Sequence, residues 1–211
     1  MEKKKKARLI YNIIMAAFVL YAWLIMFFNK EDGMLTARGF VNLKFFTTLS
    51  NIFAGAVAVV WIADHLKKKD SPVLALWKLM SASAVGVTFM VVLGFLGPLY
   101  GFGTMYTGSN LFFHLVVPLM AMVEYVFFNE KKMKLKDNLC AIFPPLVYGT
   151  VYVINTLING VKGNDIYGFL NWGYPIGFLI FAAICLVAFL IGLLLRFFNA
   201  KVIPAQKQEG I

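Results

Sequence analysis

Charge is scarce in this chain. Only 14% of its 211 residues are Asp, Glu, Lys or Arg, where a water-soluble domain carries about 25%. Acidic residues are the scarcer sign, ten against twenty basic ones. There are two cysteines, Cys140 and Cys185, placed at an inner helix end and mid-membrane in the reading below. That placement argues against a disulfide and gives no indication of redox compartment. No metal-ligand cluster, phosphate-binding loop or nucleotide fingerprint occurs, so neither a metal nor a cofactor is expected. No low-complexity tract and no repeat between the two halves is present, which argues against a transporter built from duplicated units.

What the chain has is apolar length. Hydrophobic residues make up 61% of it, gathered in runs near the roughly 20 residues a membrane-spanning helix needs. Six runs are present, over residues 9–28, 45–65, 74–99, 111–128, 139–157 and 175–198. The expected fold is therefore all-α: a single transmembrane domain, residues 1–211, of six helices. The first run, preceded by Lys3–Lys6 and Arg8, has the outline of a signal peptide. It exceeds the 7–15 residues of a signal core and ends Phe27-Phe28-Asn29-Lys30 without a small-residue cleavage site. It reads as the first span. Pro144 and Pro145 fall in the first turns of the fifth, where proline is tolerated.

The net charge of +10 does not point to nucleic acid, because the lysines flank the apolar runs and act as topology signals. With the N-terminus inside, the inner segments hold sixteen basic residues. They are Lys3–Lys6 and Arg8, Lys67–Lys69 and Lys78, then Lys131, Lys132, Lys134 and Lys136, and finally Arg196, Lys201 and Lys207. The outer segments hold four, Lys30, Arg38, Lys44 and Lys162. Both termini are thus expected in the cytoplasm, with a disordered tail at 206–209. Aromatic anchors agree: Trp61 and Trp77 lie near inner ends, and Tyr100, Tyr106, Trp172 and Tyr174 near outer ends.

Polar residues inside a span are costly and need a reason. The second span opens Phe46-Thr47-Thr48-Leu49-Ser50-Asn51. Thr47, Ser50 and Asn51 share a helical face, continued by Ala54 and Gly55. The fourth opens with Asn110 and, four residues on, His114. Thr47 lies about 5 Å and His114 about 6 Å inside the outer boundary. A hydroxyl and an imidazole at one depth suit nucleophilic catalysis, because a weak alcohol needs an adjacent base. An outer-leaflet site would admit water while an acyl chain lay along the lipid. The plainer reading is packing: Ser and Thr bond their own backbone, and Asn and His bond across helices. Glu124 sits about 15 Å deeper than His114, too far to orient it, and shares its depth with Lys78, which reads as a structural ion pair ahead of a proton relay. Gly94, Gly97 and Pro98 mark a helix stop or kink.

The pattern Phe46-Thr47-x-x-Ser50-Asn51, followed by Asn110-x-x-x-His114 with Pro118 and Glu124, resembles a six-span family. This is the androgen-induced and androgen-dependent multi-pass proteins with their bacterial relatives. The resemblance implies an intramembrane threonine hydrolase that cleaves fatty acid esters of hydroxy fatty acids. It assigns Thr47 as nucleophile, with the adjacent Thr48 as runner-up, and His114 as base. Trp172-Gly173-Tyr174-Pro175 is similar to an aromatic-Tyr-Pro feature before the family's last span. Ile176-Gly177-Phe178, which follows, departs from the animal version, which is acidic there.

The expected activity is a lipid esterase acting on membrane lipids or lipid-like esters, with Asn51 or Asn110 donating to the oxyanion. The alternatives are a small-molecule transporter or channel, and a structural or assembly protein whose polar stripes serve packing alone. The transporter reading is weakened by helix breakers that sit at span ends rather than at the midplane.

Overall fold

The computed structural model describes residues 2–28, 37–69, 71–131 and 133–203. Lys30, Lys132, Lys207 and the tail at 206–209, used in the charge count and tail assignment, lie outside the described residues. All regular structure among those described is helical.

Six helices are long and apolar enough to cross a membrane. They are α1 (Lys3–Phe28), α2 (Phe46–Leu66), α3 (Pro72–Tyr100), α4 (Ser109–Phe128), α5 (Leu135–Asn159) and α6 (Tyr174–Val202). The architecture is that of a multi-pass membrane protein. Large apolar side chains such as Leu20, Leu157, Leu179 and Phe197 stand exposed around it, a liability in water but not against lipid. α1 is longer than its apolar run, because it takes in Lys3–Lys6 as helix. At 1.5 Å per residue, its 26 residues reach roughly across hydrocarbon and headgroups together. The lysine stems can then carry their charge out to water.

α3 is the hub, packing against α2, α4, α5 and α6. It is built for that place. Ser81-Ala82-Ser83-Ala84 and Gly86 let neighbours approach closely, and small residues are what brings helices together in lipid. The core is continuous, from Met15, Val19 and Ala22 on α1 through Ala54, Ala58, Leu79 and Val85 to Phe113, Val117 and Ala188.

Chain connectivity alternates between two ends. At the lysine-rich end, Lys4 meets Glu130 and Asn199 of α6 donates to the carbonyls of Tyr125, Val126 and Asn129. Both described termini therefore lie at this end. At the opposite end, Tyr148 donates to the Lys44 carbonyl and Phe27 packs on Phe40.

Three helices carry an irregularity. Near Gly94, Gly97 and Pro98, α3 passes through a π turn, Val92–Leu96, and then ends at Tyr100. α4 has a matching π turn, Phe112–Val116. Each is followed by a proline, Pro98 and Pro118, without an N–H to donate. α5 also begins irregularly, as a 3-10 segment over Leu135–Ile142, and turns α-helical at Phe143 just before Pro144.

Candidate active site

The π turn in α4 explains why α2 carries an asparagine. The Val117 N–H donates to Phe112, one residue further back than in an α-helix. The Phe113 carbonyl thereby loses its usual donor, and the next candidate, Pro118, has none to offer. Asn51 supplies it: its Nδ2 donates to the Phe113 carbonyl at 3.0 Å and to the Thr47 carbonyl at 2.8 Å. Ser50 is also committed, with its hydroxyl 3.0 Å from the Thr47 carbonyl and 3.2 Å from Thr88 Oγ1 on α3. Ser50 and Asn51 are thus fasteners between α2 and its neighbours. Both amide hydrogens of Asn51 are engaged.

Thr47, Thr48, Asn110 and His114 all line one cavity of about 350 Å³. That is within the usual range for small-molecule sites, about 300–1,000 Å³. Its walls are apolar, with Val87, Val91, Phe95, Val153, Phe181 and Ile184 among them. Phe181 owes its place to Gly149, where any Cβ would stand 1.9 Å from the Phe181 ring.

His114 is buried, and its Nδ1 lies 2.8 Å from the Met105 carbonyl. A carbonyl only accepts, so Nδ1 carries the proton and, in the neutral ring, Nε2 keeps the lone pair. Met105 comes from a one-turn helix, Phe102–Met105, tucked against the end of α3. The π turn and the Met105 carbonyl together fix the imidazole as a hydrogen-bonded third group fixes a catalytic base.

The two threonines differ. Thr48 is buried and its hydroxyl lies 3.6 Å from the Met26 sulfur. Thr47 is half-buried, and its hydroxyl makes no hydrogen bond among the described residues. No hydrogen bond joins His114 to either threonine. The three groups line one cavity without a hydrogen bond between them.

The sequence reading passed over the lid of this cavity. Residues 160–173 fold across it, held by Asp165, whose carboxylate accepts from the Phe169 and Leu170 N–H groups at 3.0 and 2.8 Å and from Tyr152. Tyr167 accepts from the Phe46 N–H at 2.8 Å, supplying the first turn of α2 with an acceptor. Burial holds the Tyr167 phenol above its ordinary pKa, so it remains neutral at physiological pH. The i, i+4 spacing of Tyr148 and Tyr152 on α5 was the available signal. Their rings meet Tyr167 in tilted and edge contacts, and Tyr167 stacks on Phe169. Beside the cavity runs a second space of about 590 Å³ between α2 and α5. Both are lined by Phe46, Tyr148, Tyr152 and Ile166.

Lys78 and Glu124 lie at the opposite end of the bundle, 3.4 Å apart. They are not alone. Arg8, counted in sequence as a topology signal, reaches Glu124 Oε1 at 2.7 Å, and Asn12 donates to the same oxygen at 3.3 Å. Lys78 donates to Asn12 Oδ1, and the Arg8 guanidinium lies 4.6 Å over Trp61. Among the described residues, no group of three His, Cys, Asp or Glu is placed to hold a metal, and both cysteines are free. No family model, curated protein or solved structure matches the chain.

Proposed function

We propose that this chain is an intramembrane threonine hydrolase of lipid esters, with Thr47 as nucleophile and His114 as general base. The reading rests above all on one observation: a buried histidine, its Nδ1 tied to a backbone carbonyl, lines the same apolar cavity as an unbonded threonine hydroxyl. As Thr47 Oγ1 attacks the ester carbonyl, His114 Nε2 takes its proton. The tetrahedral intermediate collapses, and the departing alkoxide receives that proton as the alcohol. A threonyl ester remains. His114 then deprotonates a water, which attacks the threonyl ester and releases the carboxylic acid. Asn110, one turn before His114, is the candidate donor to the oxyanion. The apolar walls and the adjoining space between α2 and α5 favour a long acyl chain over a polar substrate.

Covalent labelling with a fluorophosphonate probe tests the reading. A single adduct should map to Thr47, and should vanish in Thr47→Ala and in His114→Ala. An adduct on Thr48 would keep the chemistry and move the nucleophile. No adduct, together with no hydrolysis of lipid esters by the folded protein, would favour a packing protein. Ser50 and Asn51, both bound across helices, give that second reading its support.

The orientation that accompanies this function puts the lysine-rich end in the cytoplasm. Lys5→Cys and Lys67→Cys should be labelled from one side only, and Arg38→Cys and Lys162→Cys from the other.

A further inference from the structure

A third concavity, of about 790 Å³, opens at the lysine-rich end. Three separate stretches of chain converge on it: Lys4, Lys5 and Arg8 from α1, Lys68 and Lys69 after α2, and Lys131 after α4. Lys78 reaches it from α3. The acids among its lining residues are Asp64 and Glu130, and Glu130 is already 3.6 Å from Lys4. The basin is therefore strongly cationic. Topology alone needs lysines near the surface; it does not need Arg8 and Lys78 carried inward on separate helices.

Its deep side is rigid. Arg8 is fixed between Glu124 and the Trp61 ring, and Trp61 stacks on His65. Among the described residues, Arg8 uses only its Nε to reach an acceptor, which leaves its paired terminal nitrogens for the planar, two-point recognition that guanidinium gives an oxyanion. Leu66, Leu74 and Phe128 add an apolar margin. A basic pocket between transmembrane helices with an apolar margin has the character of a phosphate headgroup site.

We propose that this basin binds a phosphate-bearing anion, seated on Arg8 and flanked by Lys68 and Lys69. The anion is either the headgroup of an anionic phospholipid or a free phosphate ester. This site is independent of the hydrolase reading.

Native mass spectrometry of the full chain from detergent, with equal phosphatidylglycerol and phosphatidylcholine supplied, tests it. One phosphatidylglycerol should be retained per chain, with roughly tenfold preference. Each surface lysine contributes about fivefold to such attraction, so Lys68→Gln with Lys69→Gln should remove most of the preference. Lys136→Gln with Lys201→Gln is the control. It makes the same charge change at the same end, outside the basin, and should leave the preference intact. In phosphatidylcholine nanodiscs, inorganic phosphate is compared with chloride at equal ionic strength. Thermal protection by phosphate, absent in the Lys68/Lys69 variant, assigns the free ester; lipid retention without such protection assigns the headgroup. Equal loss in both double variants means diffuse attraction and overturns the site, as does equal retention of the two lipids without protection by phosphate.

Discussion

The two ends of this bundle treat buried polar groups in opposite ways. At the lysine-rich end, Arg8, Asn12 and Lys78 converge on Glu124 Oε1 and on one another across α1, α3 and α4. At the other end, Thr47 and His114 face a common cavity and do not bond each other. The first arrangement ties three helices together through direct bonds between its members, as a fastening between helices does. The second leaves a hydroxyl and an imidazole nitrogen exposed to whatever enters, a costly arrangement inside a membrane unless something uses it. Backbone regularity divides in the same way. Both π turns lie at the cavity end, and such turns recur at functional sites.

The largest effect expected from breaking this contrast is on catalysis. Thr47→Ala should bring lipid-ester hydrolysis to background. His114→Ala should cost about 10²–10⁴-fold, the usual contribution of a general base. Thr47→Ser keeps the hydroxyl and should retain part of the rate. Thr48→Ala should cost less than about tenfold, or about 1.4 kcal/mol. Detergent melting curves should be little changed for the threonine variants, while His114→Ala also loses the bond to the Met105 carbonyl and should melt somewhat lower. A Thr48→Ala protein as inactive as Thr47→Ala would reverse the assignment.

Next in size is the fastened end. Two cations share one carboxylate there, so the partners are not equivalent. Glu124→Gln leaves buried Lys78 and half-buried Arg8 with no counter-charge and should cost up to about 3–5 kcal/mol, the range for breaking a buried ion pair. Lys78→Met leaves a one-to-one Arg8–Glu124 pair and should cost distinctly less. Thermal unfolding in mild detergent reads both. Equal losses would mean that Arg8 contributes little to the balance.

These two ends were not equally legible in sequence. The spans were, to within a few residues apart from the longer first helix and the early 3-10 start of the fifth, because apolar length alone marks them. Lys78 and Glu124 could be linked by depth, since charges in an apolar run are conspicuous. Arg8 could not, because two residues beyond a run of four lysines it looks like one more topology charge. Asn12, alone in α1, carried no pattern. The π turns left a trace only in Pro98 and Pro118, and a proline by itself does not say whether a helix stops, bends or widens. The lid over 160–173 was missed because Asp165 and Tyr167 act through backbone N–H groups, which sequence spacing does not reveal.

A smaller effect should separate the fastener from the chemistry. Asn51→Ala orphans the Phe113 carbonyl one residue before His114. The cost should be about 1–3 kcal/mol, the penalty for an unsatisfied buried group. Because that carbonyl belongs to the π turn carrying the imidazole, hydrolysis per folded molecule should fall as well. Ser50→Ala removes a bond to Thr88 away from the π turn and should lower stability with little effect on rate. An Asn51→Ala protein with full activity would show that the imidazole is held by Met105 alone.

The smallest effect concerns the lid, and pH gives it a signature. Tyr167→Phe removes the acceptor for the Phe46 N–H and should cost about 0.5–1.5 kcal/mol at neutral pH, one ordinary hydrogen bond. In the folded chain burial raises the Tyr167 pKa, while in the unfolded chain the phenol titrates near 10. Above that pH the unfolded state has lost a proton that the folded state still holds, so stability falls as pH rises. The contribution is complete below about pH 10 and declines above it, until the folded phenol also ionises. Tyr167→Phe should therefore be less stable than the parent at pH 7 and show a shallower alkaline decline. Melting temperatures of the two proteins between neutral and strongly alkaline pH would converge. Parallel curves would mean that the phenol is no more shielded folded than unfolded, and that the lid does not seal the cavity end as Asp165 and the tyrosine cluster suggest.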